Sequence, residues 1–369
     1  MALPPLVEPV AALSVAERSR TARHTRLAGF GDLGQRRLAA ARIAVVGAGG
    51  LGSPVVLALA AAGVGELVVI DDDTVEHSNL QRQLLHRLDD IGAPKVDSAV
   101  RAAAGLSPET VVRPVREQLT PDNATRLLAG AHLVIDGTDT FDTREAVASA
   151  CEELGVPLVW GTVQAWDAQV TVFWNRPPAG VAPVALADLY PPGSVGDVPT
   201  CSAVGVLGVL CLQVGSLMAT EAIKLVTGIG EPLLGRVLVV DGLRARQHEV
   251  PLRAARTTPS ASPTPAVEVP SVGSDALDGA VVVDVREADE LESGVIARSR
   301  HLPLGALLDD PTALLGAGRV VVVCQAGVRA RRAAQALRDV GIDASVLTGG
   351  IDAWSGELEA WTGATQVTA

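Results

Sequence analysis

The chain has 369 residues, of which 48% are hydrophobic, 20% charged and only 2% aromatic. This length exceeds what one ordinary hydrophobic core uses and predicts two domains, and the composition is that of a globular rather than a disordered protein. The formal net charge of -12 argues against a nucleic-acid surface, because binding to phosphate backbones depends on clustered lysine and arginine.

Three features favour a cytoplasmic protein that crosses no membrane. Residues 1–12 are apolar but lack the positive start of a secretory signal. The longest apolar run, residues 203–223, contains Gln213 and Glu221, which favours a buried helix over a membrane span. The cysteines show no paired spacing, which suits a reducing compartment.

Short β-branched runs alternate with amphipathic segments through the first part of the chain. We predict strands at residues 43–46, 67–70, 111–115, 133–136, 158–163 and 169–174. Such alternation predicts an α/β fold, with a Rossmann-like, mostly parallel sheet and helices on both faces. The last two runs have little helix between them, so we expect the sheet to end mixed.

A stretch rich in Pro, Ser and Thr, from Thr257 to Ala266, cannot bury apolar surface and is typical of a flexible tether. We therefore assign residues 1–252 to a first domain and residues 253–272 to a linker. Residues 273–362 form a smaller α/β domain, for which we predict strands at 281–284, 319–324 and 344–347.

The first predicted strand leads directly into Gly47-Ala-Gly-Gly-Leu-Gly52, and a helix follows. Glycines there let backbone N–H groups approach a phosphate, and the helix N-terminus favours negative charge. The candidate phosphate-loop residues are Gly47, Gly49, Gly50 and Gly52. The next strand ends at Asp71, where a carboxylate would bind ribose hydroxyls. These features alone fit an NAD-dependent dehydrogenase equally well.

The polar run from Asp71 to Gln83, which includes Ser78, Asn79 and Arg82, favours nucleotidyl transfer instead. Cationic side chains neutralise the charge that develops on a triphosphate as pyrophosphate leaves, whereas hydride transfer needs no such groups. Lys95 follows this run and is one of only two lysines among 30 basic residues.

Asp136-Gly-Thr-Asp139 ends the fourth predicted strand, at the sheet edge where open α/β sheets bind ligands. Asp139 could hold Mg²⁺ between phosphate oxygens, since this ion prefers hard oxygen ligands. Thr138 and Asp139 could equally be a helix N-cap, because a helical stretch follows from Phe141.

The first 250 or so residues resemble the E1-like adenylyltransferases of the MoeB/ThiF family. The matching segments are residues 20–23, 29–30, 47–52, 71–75, 78–83, 95 and 136–139. The resemblance implies a homodimer that binds ATP through Gly50, Asp71, Asn79, Arg82 and Lys95. It also implies Mg²⁺ on Asp139, a contact by Arg23 from the partner subunit, and adenylation of a carrier protein's C-terminal Gly-Gly carboxylate.

Two departures from this family bear on cofactors. Relatives carry two Cys-x-x-Cys pairs that bind structural zinc, but residues 177–182 and 256–259 hold no cysteine here, so we predict no zinc. Thr140 is also a candidate nucleotide-binding residue, but it stands where relatives have Asn, so the adenine or ribose contact made by that Asn need not be kept; the metal ligand Asp139 is unaffected.

Cys201 lies in a Pro/Gly-rich stretch before the long apolar run. Its counterpart in relatives can form a covalent bond to the carrier, although an inert, partly buried thiol fits the sequence equally well. Cys151 and Cys211 lie within apolar helical patterns and are predicted to be core residues.

The second domain centres on Cys324-Gln-Ala-Gly-Val-Arg329, between a buried strand and a helix. Backbone N–H groups of such a loop stabilise an anionic sulfur, and Arg329 adds a charge at the far side of the loop. The loop has one residue fewer than the phosphatase pattern, which favours a persulfide carrier. With Asp284, Arg286, His301 and residues 349–354, it resembles the rhodanese family, which implies that Cys324 carries the persulfide and that Asp284 and Arg286 are structural.

The order of the two domains resembles the MoeZ-type fusions of a MoeB-like and a rhodanese domain. It implies an adenylyltransferase and sulfurtransferase that converts a MoaD-like or ThiS-like sulfur carrier into its thiocarboxylate. A cysteine desulfurase or thiosulfate would supply the sulfur, and molybdenum cofactor synthesis is one candidate pathway. The alternatives are an E1-like cyclising or amide-forming enzyme that does not use Cys324, an NAD-dependent oxidoreductase and a non-enzymatic binding module.

Overall fold

The computed structural model describes residues 3–191, 205–252 and 269–361, apart from residues 278, 289, 317 and 326. These residues form two compact units, one N-terminal and one C-terminal to the predicted tether. Each unit is an α/β structure built on its own sheet.

The described part of the first unit contains eight strands and eight α-helices. The strands are β1 (Arg42–Val46), β2 (Glu66–Ile70), β3 (Val111–Val115), β4 (Leu133–Asp136), β5 (Leu158–Gln164), β6 (Asp167–Phe173), β7 (Arg236–Asp241) and β8 (Arg246–Pro251). The helices are α1 (Val15–Arg20), α2 (Gly31–Ala40), α3 (Gly52–Ala62), α4 (Lys95–Leu106), α5 (Ala124–Leu128), α6 (Phe141–Leu154), α7 (Leu186–Leu189) and α8 (Gly208–Thr227).

The sheet of the first unit has the order β3-β2-β1-β4-β5-β6-β7-β8. Strands β1 to β5 pair in parallel, and β6 to β8 are antiparallel to their neighbours, so the predicted mixed, mostly parallel sheet is confirmed. The chain order reverses at β1, whose Val46 is level with Ile70 of β2 and Asp136 of β4. The carboxyl ends of these three strands therefore meet at the switch point where such sheets bind ligands.

Alternate residues of β1 supply the two faces of the sheet. Ile43 and Val45 join the apolar core on one face, and Ala44 and Val46 join the core on the other. Helices cover both faces, because strands buried on both sides cannot leave apolar side chains in water. Helices α3 and α8 pack against each other on the face of the sheet that carries Ile43 and Val45.

Helix α8 is long and apolar enough to cross a membrane by length and composition, and no other helix of the described residues is. It packs against α3 and β5, and 56% of its most apolar window is buried inside the protein. The contacts are those of a core helix, as its interrupting polar residues predicted.

The second unit has a five-stranded parallel sheet of order β12-β10-β13-β14-β9 and a two-stranded ribbon of β11 and β15. Its strands are β9 (Ser271–Val272), β10 (Val281–Asp284), β11 (Val295–Ile296), β12 (Arg300–His301), β13 (Val320–Val323), β14 (Ala344–Leu347) and β15 (Leu358–Glu359). The helices are α9 (Leu304–Asp309) and α10 (Val328–Asp339). Strand β13 is central and fully buried, and Cys324 follows its last residue.

Candidate active sites

A cavity of about 420 Å³ lies at the carboxyl ends of β1, β2 and β4. Segments from several parts of the first unit line it: the phosphate loop, residues 70–83, Lys95, residues 117–119 and residues 137–144. Only tertiary packing brings these segments together, and the cavity occupies the place that the switch-point rule gives to a ligand.

Two glycines of the phosphate loop, Gly47 and Gly52, lie close against backbone atoms. Gly47 has a φ of +86°, and a Cβ there would lie 3.2 Å from the carbonyl oxygen of Gly137. A Cβ on Gly52 would lie 1.8 Å from the oxygen of Gly47, a distance no structure tolerates. Gly52 therefore serves the turn itself, whereas Gly49 and Gly50 line the cavity.

Asp71 ties the phosphate loop to the following strand end. Its Oδ2 accepts a hydrogen bond from the Ala48 N–H at 2.7 Å, and its Oδ1 accepts one from the Asp73 N–H at 2.9 Å. Burial raises the pKa of this carboxyl group, and Lys95 opposes that effect. Each oxygen keeps a second lone pair for a ligand hydroxyl.

Lys95 is buried and forms an ion pair with Asp73, with 2.7 Å between Nζ and Oδ2. Asn79 is also buried, and its Oδ1 accepts a hydrogen bond from the Glu76 N–H. The Arg82 guanidinium donates to the carbonyl oxygen of Ser78 at 3.1 Å. Ordered cations are thus already aimed at the cavity, with Asp73 holding the ammonium group in place.

The loop after β4 is fixed by a network that the sequence did not reveal. Asp136 is fully buried, and its Oδ1 accepts hydrogen bonds from the Thr138 N–H at 2.9 Å and hydroxyl at 2.6 Å. Buried Arg144 donates to the Thr138 carbonyl oxygen at 2.9 Å and lies over the Trp160 ring. Thr138 is therefore held through its backbone and side chain, which fixes the adjacent exposed Asp139 at the cavity wall.

The helix N-cap reading of Thr138 and Asp139 is wrong. The N-cap of α6 is Thr140, whose hydroxyl donates to the Thr143 hydroxyl instead of accepting from the helix backbone. Asp139 makes no capping bond to α6 and remains available to a ligand of the cavity.

Two buried side chains lie behind the phosphate loop, and one of them, His86, had no sequence signal. The His86 Nε2 lies 3.1 Å from the Ala48 carbonyl oxygen, and burial lowers the pKa of this imidazole. Gln83 is buried nearby and lines the cavity. His86 is placed by packing, so spacing along the chain could not identify it, whereas Gln83 ends the polar run that the sequence had already indicated.

The structure gathers most of the predicted nucleotide residues around one cavity. Those lining it are Gly47, Gly49, Gly50, Asp71, Asn79, Arg82, Lys95, Asp139 and Thr140. Three predicted residues are not among its lining: Gly52, Ser78 and the exposed Arg23, which the resemblance assigns to a partner subunit's site. Cys201 lies outside the described residues.

Carboxylate oxygens suitable for a divalent cation are present at the cavity. Asp139 lines it, and one oxygen from each of Asp71, Asp72 and Asp73 lies within 4.8 Å of the others. Oxygen donors beside a phosphate-binding loop fit the preference of Mg²⁺. The predicted absence of zinc stays a prediction.

Cys324 is the first residue of a tight loop between β13 and α10 in the second unit. Its buried Sγ accepts hydrogen bonds from the Gly327 N–H at 3.2 Å and the Ala330 N–H at 3.4 Å. Gly350 closes the loop from the other side, since a Cβ there would lie 2.2 Å from the Cys324 carbonyl oxygen. The backbone therefore offers donors to an anionic sulfur, as the loop pattern predicted.

Arg286 and Asp284 form a fully buried ion pair at 2.7 Å, which accords with a structural role. Arg286 also donates to Gln325, the residue after Cys324. Arg329 forms two hydrogen bonds with Glu290, at 2.6 and 2.7 Å. Glu290 was not singled out from the sequence, because nothing in its spacing links it to the loop.

The first unit is an open α/β sheet with a cationic, glycine-rich cavity, and the second presents a cysteine to backbone N–H groups. A chain with these two sites is an adenylyltransferase and sulfurtransferase. The chain belongs to the ThiF family, whose model matches residues 21–261, and a rhodanese-like domain matches residues 273–357.

Similarity to known proteins supports this assignment. The chain is 39% identical to the probable adenylyltransferase/sulfurtransferase MoeZ of Mycobacterium tuberculosis, over 97% of each chain. It is 43% identical to the sulfur carrier protein adenylyltransferase of Thermus thermophilus, over 64% of this chain and 88% of that one. Among solved structures, Escherichia coli MccB with MccA matches with a TM-score of 0.57 and 20% identity, covering 68% of this chain and 75% of that one, which shows the fold alone.

Proposed function

We propose that this enzyme adenylates the C-terminal carboxylate of a small ubiquitin-like sulfur-carrier protein and then replaces the AMP by sulfur carried on Cys324. The observation that carries this proposal is the presence, in one chain, of a cationic phosphate cavity and a persulfide-type cysteine loop. The name of the Thermus thermophilus relative, which specifies a sulfur carrier protein, supports the choice of substrate.

In the first step a carrier carboxylate oxygen attacks the α-phosphorus of ATP. The bond between the α-phosphorus and the bridging oxygen breaks, pyrophosphate leaves, and an acyl-adenylate remains. Backbone N–H groups of the phosphate loop, Arg82 and Lys95 would bind the phosphates and stabilise the charge that develops on the leaving pyrophosphate. Lys95 must exchange Asp73 for a phosphate oxygen in this step.

Asp139, held by the Thr138 network, would bind Mg²⁺, which supplies charge neutralisation to the phosphate oxygens when it is bound. Arg144 keeps the loop in place through its hydrogen bonds to Thr138, which holds the neighbouring Asp139 at the cavity wall.

In the second step the terminal sulfur of a Cys324 persulfide attacks the acyl carbon, and the bond from that carbon to the AMP oxygen breaks. The product is an acyl disulfide joined to Cys324. A second thiol then attacks the Cys324 sulfur and releases the carrier thiocarboxylate, which leaves Cys324 oxidised in a disulfide with that thiol. The Gly327 and Ala330 N–H groups stabilise the Cys324 sulfur whenever it is anionic.

The homodimer, the contact of Arg23 with the partner's nucleotide, the covalent role of Cys201 and the cytoplasmic location belong to the same proposal. Molybdopterin synthesis is one candidate pathway, and thiamine, cysteine and secondary-metabolite pathways use the same chemistry.

Two variants test the two steps separately by ATP–pyrophosphate exchange and by intact mass of the carrier. Cys324→Ala should adenylate the carrier at the wild-type rate but form no thiocarboxylate, whereas Asp139→Ala should lose both activities by at least about 100-fold. The controls are Cys151→Ala, a core thiol whose pKa is raised by burial, and Asp142→Ala, an exposed carboxylate in the same segment.

Thiocarboxylate formation by Cys324→Ala at the wild-type rate would refute the sulfur step and favour a cyclising or amide-forming enzyme. Wild-type exchange activity in Asp139→Ala would refute the assignment of the metal and phosphate site.

A further inference from the structure

The cation nearest in sequence to the Cys324 loop is already neutralised in the structure. Both terminal nitrogens of Arg329 donate to Glu290, one to each carboxylate oxygen, at 2.6 and 2.7 Å. Bidentate pairs of this kind are among the stronger polar contacts in proteins and fix both partners in one geometry. The pKa of Glu290 is lowered, chiefly by its hydrogen bonds to Arg329, so the pair is kept at neutral pH.

Glu290 is itself anchored, so it does not turn away easily. Its Oε2 accepts a second hydrogen bond from the Glu287 N–H at 2.8 Å. Its carbonyl oxygen lies 3.4 Å from an Arg286 nitrogen and 2.7 Å from the Ser293 hydroxyl. Both the backbone and the carboxylate of Glu290 are therefore fixed where they meet Arg329.

Three more charged groups adjoin the loop, and the one cation among them is paired. Arg286 is paired with Asp284, and the Gln325 amide donates to Asp352 at 2.5 Å. Two arginines thus face three carboxylates, Asp284, Glu290 and Asp352, among the residues in contact with this loop. A dianion that approaches these five side chains finds both arginines paired and a net charge of one negative unit.

We propose that Glu290 determines the sulfur donor of Cys324: by occupying Arg329 it disfavours thiosulfate and leaves persulfides, R–S–SH, as the donors that the loop accepts. The inference rests on the proposed function of Cys324 as the sulfur carrier. A thiosulfate sulfonate group is bound well by a planar cationic group such as guanidinium, and here it must compete with Glu290 for Arg329. A persulfide needs no such fork.

The transfer step balances without any added oxidant or reductant. The Cys324 thiolate attacks the outer sulfur of the donor persulfide, a bond forms between Sγ and that sulfur, and the donor S–S bond breaks. The donor's inner sulfur leaves with the electron pair of that bond and takes the proton, so the products are a Cys324 persulfide anion and R–SH.

The test compares kcat/KM for Cys324 persulfidation, followed by mass spectrometry of the full-length protein, with thiosulfate and with glutathione persulfide as donors. Glu290→Gln should raise kcat/KM for thiosulfate by about 10-fold or more, the gain expected from one released charge-assisted contact, and change that for glutathione persulfide by less than about 2-fold. Glu287→Gln removes an exposed carboxylate from the same segment without touching Arg329 and should change neither value.

The double variant Glu290→Gln with Arg329→Gln should lose the gain with thiosulfate, because the gain requires the released guanidinium. An unchanged kcat/KM for thiosulfate in Glu290→Gln, with a wild-type rate for glutathione persulfide as proof of an intact loop, would overturn the inference. An equal gain in Glu287→Gln would also overturn it, because simple charge reduction would then explain the effect.

Glu290→Gln could lose Cys324 persulfidation with both donors, and Glu290→Asp, which keeps the charge, is then the second variant. Glu290→Asp should retain the wild-type preference for the persulfide. A preference for thiosulfate in Glu290→Asp would contradict the inference. Failure of wild-type Cys324 to accept sulfur from either donor would instead refute the proposed function itself.

Discussion

The two sites obtain their anion-stabilising groups in different ways. The nucleotide cavity draws on segments from Gly47 to Arg144, and it is held by long-range contacts such as that between Asp71 and Ala48. The Cys324 loop draws on backbone N–H groups only three and six residues further along the chain. A large substrate such as ATP needs many converging contacts, whereas a single sulfur atom needs only a tight turn.

Both sites nevertheless share one feature, a glycine packed closely against a backbone carbonyl oxygen. Gly52 lies against the Gly47 oxygen and Gly350 against the Cys324 oxygen, and neither position has room for a Cβ. Because the two loops are built separately, a substitution in one should lower the activity of that site and leave the activity of the other unchanged.

Gly52→Ala should have the largest effect. A Cβ 1.8 Å from the Gly47 oxygen forces the phosphate loop away from the strand end. We expect ATP–pyrophosphate exchange to fall by about 100-fold or more, because displacing a phosphate-binding group by an ångström costs that much. Cys324 persulfidation should remain at the wild-type rate.

The matched control is Gly105→Ala in α4, where a Cβ meets nothing within 4 Å. It should preserve exchange and raise the free energy of unfolding by about 0.5–1 kcal/mol, measured by urea denaturation. Normal exchange in Gly52→Ala would show that the loop tolerates a side chain and would remove the steric argument.

Gly350→Ala should have an intermediate effect, restricted to sulfur chemistry. Its φ of +61° disfavours alanine, and the new Cβ would push on the Cys324 carbonyl oxygen. We expect the rate of Cys324 persulfidation to fall by roughly 10-fold, since the N–H donors are displaced from the sulfur. Exchange should not change.

Gly305→Ala in α9 is the control for this variant, because a Cβ there also meets nothing within 4 Å. A loss of exchange in Gly350→Ala would mean that the two sites depend on one another in a way that the separate frameworks do not predict.

His86→Gln should have the smallest effect, visible only as a pH dependence of stability. Burial lowers the pKa of His86, so the folded state keeps a neutral imidazole while the unfolded chain takes up a proton near the ordinary value of 6.5. Wild-type stability is therefore lost as pH falls through about 6.5 and below. Glutamine cannot titrate, and that part of the loss should disappear.

Urea denaturation at pH 7.5 and pH 5.5 measures the difference. The stability deficit of His86→Gln relative to wild type should shrink at the lower pH. A deficit that grows at pH 5.5 would contradict the assignment of His86 as a buried neutral group behind the phosphate loop.

Chain order and residue type were sufficient for the buried parallel strands of both sheets and for the nature of both loops, whereas β7, β8 and the short strands β9, β11, β12 and β15 were not predicted. The strands at Leu133–Asp136, Val281–Asp284 and Ala344–Leu347 have the predicted bounds, because β-branched runs between polar or glycine residues have few other ways to be buried. The glycine-rich turn and the Cys324 loop are local patterns, so their residues could be named from the sequence.

The tertiary structure alone decided which side chains support those loops. The clamp of Asp136 and Arg144 on Thr138, the position of His86 behind Ala48 and the pairing of Glu290 with Arg329 join residues whose separation along the chain follows no period. Hydrophobic patterning specifies where a segment is buried, but hydrogen-bond partners in a core depend on how segments pack against each other. The reaction class was therefore contained in the local motifs, and the positioning of the reacting groups arose only on folding.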